Sequence, residues 1–125
     1  MKIKRGDIVW LKRETPIFSL GKNVQYSDRP YIVISNNVNN SKCPTINVAA
    51  ISKQISKANY PMHVYLDKDK YDLKFDSIVL LEQVSTINKS YVNYIKASLD
   101  EEDMVKFNRA VFVQLIDESL NSVIV

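Results

Sequence analysis

The chain has 125 residues, of which 46% are hydrophobic and 25% charged, the dimensions of one ordinary globular domain spanning 1–125. A net charge of +3 permits a polyanionic partner without demanding one. Two glycines, Gly6 and Gly21, are too few for a glycine-rich phosphate loop, and the single cysteine, Cys43, excludes an intrachain disulfide and a cysteine-based zinc site.

In chain order, the opening Met1-Lys2-Ile3-Lys4-Arg5-Gly6-Asp7 carries charge but no apolar core, so it does not read as a signal peptide. No apolar stretch approaches the length of a membrane span, and the expected location is the cytoplasm. Asp7 to Leu11, with Ile8, Val9, Trp10 and Leu11 following the turn-forming Gly6, reads as a short first strand. Residues 12–28 are polar and broken by Pro16 and Gly21, a long loop of the kind that is functional or disordered in small domains. Arg29-Pro30 opens Tyr31-Ile32-Val33-Ile34-Ser35, a β-branched run suited to a strand buried on both faces. The asparagines at 36, 37, 39 and 40 read as a turn. Further strands are expected at residues 46–52, at 62–66 and at 77–81 leading into Glu82-Gln83-Val84. A short helix is expected from Asn88 through Tyr91 and Ile95. Asp100 is a credible helix cap, followed by Glu101, Glu102 and Asp103 where the helix dipole favours negative charge. Met104, Phe107, Val111 and Leu115 then recur at helical spacing. Residues 122–125 pair as an edge strand or fray. Many strands with one terminal helix imply a mainly β fold, a small antiparallel sheet curled into a partial barrel plus a C-terminal helix.

The residue inventory narrows the chemistry. His63 is the only histidine, so a two-imidazole acid–base mechanism is unavailable, and its strand setting reads as structural. The acidic run at 100–103 reads as a solvated helix start rather than a magnesium site. No metal site and no cofactor are expected. What remains is a cation, hydroxyls and amides at strand ends. Arg29, before a rigid proline at the mouth of a buried strand, offers a planar fork of donors suited to a phosphate oxygen, or is a plain surface arginine. Ser52 ends one strand and Glu82-Gln83 ends another. Together they make a coherent phosphate-handling rim.

The order of these elements resembles the MazF/PemK toxins. Lys4-Arg5-Gly6-Asp7-Ile8-Val9-Trp10 resembles their Arg-Gly-Asp-hydrophobic opening, and Arg29-Pro30-Tyr31-Ile32-Val33-Ile34-Ser35-Asn36 their Arg-Pro strand. Val48-Ala49-Ala50-Ile51-Ser52 is similar to their Val-Ala-Ala-Ile-Thr, and Pro61-Met62-His63-Val64 to Pro-x-His-Val. Asp76 through Val84 resembles the family's Asp-Ser-hydrophobic-Glu-Gln segment, and Ser85-Thr86-Ile87-Asn88-Lys89 its Arg-Thr-Ile-Asp-Lys. The resemblance runs from Lys4 to about Leu115. It implies an SH3-like partial barrel of the PemK/CcdB type and a homodimer. The activity implied is metal-free cleavage of single-stranded RNA, in which the 2′-hydroxyl attacks the adjacent phosphate. Products are a 2′,3′-cyclic phosphate and a 5′-hydroxyl. The catalytic arginine falls on Arg29 and the catalytic threonine on Ser52. Gln25, Tyr26, Glu82 and Gln83 fall where substrate is held. A MazE-like antitoxin partner is implied, together with DNA binding by the toxin–antitoxin complex.

The chain departs from that pattern in four places. The loop before Arg29 is about four residues longer than in typical members. Tyr26-Ser27 replaces Gly-Gly, and Val24 replaces a glutamate. Ser52 keeps the threonine's hydroxyl but loses the β-branch that fixes its rotamer. Ser85 replaces an arginine near the expected dimer interface. These changes lead us to expect altered sequence preference and lower activity. Two competing readings are a gyrase-binding toxin of the CcdB type on the same fold and a degenerate RNA-binding module.

Overall fold

The computed structural model describes residues 1–18, 24–26, 29–57 and 59–119. Among the described residues, eight strands and three α-helices follow one another: β1 (Asp7–Leu11), β2 (Pro16–Phe18), β3 (Val24–Tyr26), β4 (Pro30–Val33), α1 (Asn37–Lys42), β5 (Thr45–Ser52), β6 (His63–Leu66), α2 (Lys68–Tyr71), β7 (Ser77–Asn88), β8 (Val92–Ser98) and α3 (Glu101–Leu115). Six strands form one antiparallel sheet in the order β6-β7-β5-β4-β1-β8, and β2 pairs with β3 as a separate ribbon.

Strand alternation divides the core in two. Ile8, Ile32, Ala49, Ile51, Val64, Leu66, Val79 and Leu81 face α3 and pack around Phe107 and Ala110. Their neighbours Val9, Tyr31, Val33, Val48 and Ala50 face the other way, with Ile46, Ile87, Val92 and Ile17 of the β2–β3 ribbon. Both faces of the central strands are therefore covered, which is why β4 and β5 read as unbroken apolar runs rather than alternating ones.

The structure corrects four expectations. The long polar segment at 12–28 is not all loop, because it contains the β2–β3 ribbon with Ile17 opposite Gln25. The asparagine cluster is a short helix: Asn36 caps α1 by accepting the Asn39 amide, and Asn40 is buried with its Nδ2 donating to the Ser35 carbonyl at 2.8 Å. The strand expected at 77–84 continues to Asn88. The helix expected from Asn88 is a single 3₁₀ turn over Lys89–Tyr91, followed by β8 on the free side of β1. Register shifts in the β1–β8 ladder break the two-residue alternation of β8, which hides it from pattern reading. Residues 122–125 lie outside the described residues.

The expected cap of α3 is present. Asp100 accepts the Asp103 amide at 2.8 Å, and Asp103 is buried. Lys70 and Tyr71 of α2 join them: Lys70 Nζ lies 2.7 Å from Asp100, and the Tyr71 hydroxyl donates to Asp103 at 2.6 Å. The hydrogen bond from Lys70 holds the Asp100 carboxyl below its usual value, while burial and the Asp103 carboxylate push the Tyr71 phenol up. The acidic run is thus a capped helix start tied to α2.

Gly6 meets the one glycine requirement in the described chain. Its φ of 87° lies in the left-handed region, its amide donates to Val33 and its carbonyl accepts from Leu99. An added Cβ would stand 2.6 Å from Met104 Sδ, the mobile end of a flexible side chain, so the strain comes mainly from the backbone. Gly6→Ala is expected to destabilise the fold by about 1–2 kcal/mol. Denaturant titration checks this, and an unchanged midpoint would contradict it.

Candidate active site

The β4–β5 register brings the expected residues together. Tyr31 pairs with Ala50, Ile32 with Ala49 and Val33 with Val48. The ladder ends at Tyr31 and Ala50, and Arg29 and Ser52 each lie two residues beyond it, at the same end of two adjacent central strands. Pro30 fixes the backbone just inside this rim, and Arg29 itself is exposed. Ser52 is half-buried, and its Oγ accepts the Gln54 amide at 3.1 Å as the chain turns off β5. The hydroxyl serves there as acceptor and keeps its O–H to offer a phosphate oxygen.

Glu82 and Gln83 sit on an irregularity in β7. Ala50 pairs with Leu80 but Ala49 pairs with Val84, so Leu81, Glu82 and Gln83 have no counterparts on β5. Leu81 turns into the core, Glu82 is exposed and Gln83 is half-buried. Bulges of this kind redirect side chains and commonly lie beside active sites.

The Glu82 carboxylate is held by His63. His63 Nε2 lies 2.8 and 3.0 Å from the two Glu82 oxygens, and its side chain is fully enclosed. Tyr60 stacks on the imidazole, with ring centroids 5.2 Å apart and an interplanar angle of 16°. His63 is therefore a packed strand residue, as its setting suggested, but one that braces the bulge from the neighbouring strand. This partnership was not foreseeable: the two residues are 19 apart in sequence and meet only through the β6–β7 pairing of His63 with Leu80.

Gln25 and Tyr26 belong to β3, where Tyr26 pairs with Pro16. Their side chains lie outside the described residues. Among the described residues, no group of three or more histidine, cysteine, aspartate or glutamate side chains is arranged to hold a metal ion. Among the same residues, no helix is long and apolar enough to cross a membrane.

The family described as PemK-like, MazF-like toxins of type II toxin–antitoxin systems matches residues 4–115 of this sequence. The chain belongs to that family. Endoribonuclease EndoA of Bacillus subtilis is 38% identical over 115 residues, covering 92% of this chain and 96% of the relative. Endoribonuclease MazF of Staphylococcus saprophyticus is 36% identical over 113 residues, covering 90% and 91%. Among solved structures, a mycobacterial endoribonuclease in complex with its cognate antitoxin superposes with a TM-score of 0.66 at 17% identity, covering 90% of this chain and 94% of that one. MazF of Deinococcus radiodurans superposes with a TM-score of 0.68 at 17% identity, covering 92% of this chain and 97% of that one, so the six-stranded sheet and terminal helix are a fold shared with a MazF toxin.

Proposed function

We propose that this PemK/MazF-family toxin is a metal-independent, sequence-specific endoribonuclease acting on single-stranded RNA in the cytoplasm. It works as a homodimer and is restrained by a MazE-like antitoxin, with which it forms a DNA-binding complex. The observation that carries the reading is the β4–β5 register, by which an arginine and a hydroxyl fall at the same end of adjacent strands. Endoribonuclease relatives more than a third identical over nine-tenths of the chain favour it over a gyrase-binding toxin. The antitoxin complex of a structural neighbour supports the partner.

In the proposed step the substrate 2′-oxygen attacks phosphorus while the bond to the 5′-oxygen breaks. The 2′ proton leaves and the departing 5′-oxygen gains one. Arg29 neutralises charge on the non-bridging oxygens as it builds, and the Ser52 hydroxyl donates to one of them. Gln83, presented by the bulge that His63 and Glu82 brace, and Gln25 and Tyr26 of the ribbon hold the flanking nucleotides. Single strands are suited to this because their base edges are free.

Incubation with a long single-stranded RNA in excess EDTA tests the reading. Cleavage leaving 5′-hydroxyl ends is the expected result, and intact RNA with folded, dimeric protein would refute it. Within the same assay, Ser52→Ala is expected to slow cleavage about ten- to a hundredfold, the range for losing a hydrogen bond to a charged group. Ser52→Thr should retain the rate, and a Ser52→Ala rate equal to wild type would remove the hydroxyl from the mechanism.

A further inference from the structure

We propose that Lys53 and Phe75 form a nucleotide-binding step beside Ser52, taking one base of single-stranded RNA on the Phe75 ring and an adjacent phosphate on the Lys53 ammonium. The proposal rests on the endoribonuclease reading and adds to it a subsite outside the residues that carry the family resemblance. Lys53 directly follows the Val48–Ser52 motif, and Phe75 directly precedes the Asp76–Val84 motif.

Strand pairing explains why they meet. Ser52 is opposite Ile78 in the β5–β7 ladder, so the chain leaving β5 and the chain entering β7 run side by side at the Ser52 rim. There the Lys53 ammonium stands 5.0 Å from the centre of the Phe75 ring. Phe75 is 52% exposed, a large aromatic in solvent rather than in the core. Its position is nonetheless fixed by local bonds. The Ser77 hydroxyl donates to the Phe75 carbonyl at 2.8 Å, and the neighbouring Asp76 carboxylate accepts the Lys68 amide at 3.0 Å. Lys53 is exposed, as is Lys74, the residue before Phe75 in the chain.

This is the chemistry of sequence-tolerant single-strand binding, an aromatic face for a base beside a cation for the backbone. An ammonium parked on an exposed ring is weakly held. On RNA binding it moves to a phosphate, and the base takes the face it vacates. Position decides what the step does for the reaction. Lying one residue from Ser52, it grips a nucleotide next to the scissile phosphate and helps set which base is accepted there.

The test is steady-state cleavage of a long single-stranded RNA by the full chain in EDTA, with cut sites mapped and binding followed by fluorescence anisotropy. Phe75→Ala is expected to raise KM about tenfold with kcat unchanged and to relax base preference at one position flanking the cut. Phe75→Trp should restore both. Lys53→Gln should reduce the slope of log affinity against log salt by about 0.7, the value for one phosphate contact on a single strand. Phe75→Leu keeps apolar bulk without a π face, so a wild-type KM in that variant would overturn stacking. If wild type cleaves RNA and all variants match its KM, salt slope and cut map, the subsite fails while the nuclease reading stands. If wild type binds RNA in a Phe75-dependent way without cutting it, the subsite stands and the nuclease reading fails. Absence of both binding and cleavage overturns both.

Discussion

Arg29→Ala is expected to lower the single-turnover rate of RNA cleavage at least about a hundredfold, the cost of removing one preorganised donor aimed at developing charge. The residue is exposed and stands at the start of a strand, so its loss opens no cavity. The thermal midpoint should move little, separating a loss of chemistry from a loss of fold. Arg29→Lys provides a finer reading. Lysine restores the charge but not the planar fork, so its rate should fall between those of wild type and alanine. Were charge alone required, lysine would match arginine. Were Arg29 only a surface cation, alanine would cut RNA at the wild-type rate, and the proposed mechanism would be wrong.

The reason Arg29 can be singled out lies partly in the sequence and partly beyond it. β1, β4, β5, β6 and the first half of β7 were legible because each is a compact apolar run bounded by turn residues or proline. α3 was legible because Asp100, three acidic residues and an apolar stripe all mark the same helix. That Arg29 and Ser52 lie at the same end of adjacent strands was not legible from those two residues themselves. Resemblance assigned them a common role, and the β4–β5 register supplies the physical juxtaposition.

What escaped sequence reading has a common cause, which is that it depends on partners remote in the chain. β8 acquires its strand character from β1, through a ladder whose register shifts erase simple alternation. The β2–β3 ribbon is a different case, local in sequence but built from strands of only three residues each, too short to announce themselves. Nothing in Leu81-Glu82-Gln83 signals a bulge, because the irregularity exists only relative to β5. For the same reason Glu82, expected to hold substrate together with Gln83, could not be seen to have its carboxylate on a buried imidazole from β6. The solitary histidine, read as structural from its strand setting, makes a contact with Glu82 that ties it to the segment carrying Gln83.

The site stands on one end of a sheet whose other support is α3, and Phe107 is where that support is most concentrated. Its ring is fully buried among Ile8, Ile32, Ile51 and Leu66, and the Arg5 guanidinium lies 4.7 Å above it. Burial lowers the Arg5 pKa, and the side chain is satisfied by the Ile34 carbonyl and the Asn108 amide oxygen at 3.1 and 2.5 Å. Phe107→Ala would remove the ring from the interior and leave a void beneath a partly desolvated cation. We expect destabilisation of about 3–5 kcal/mol, a large fraction of the stability of a domain this size. The melting midpoint should fall by roughly 10–20 °C, with the denaturant midpoint shifting in step. Phe107→Leu retains most of the volume and should cost less than about 2 kcal/mol. Since Ile51 packs in this cluster and Ser52 is the next residue, the alanine variant should also cut RNA more slowly at temperatures where it remains folded. A Phe107→Ala protein as stable as wild type would mean that α3 does not anchor the sheet.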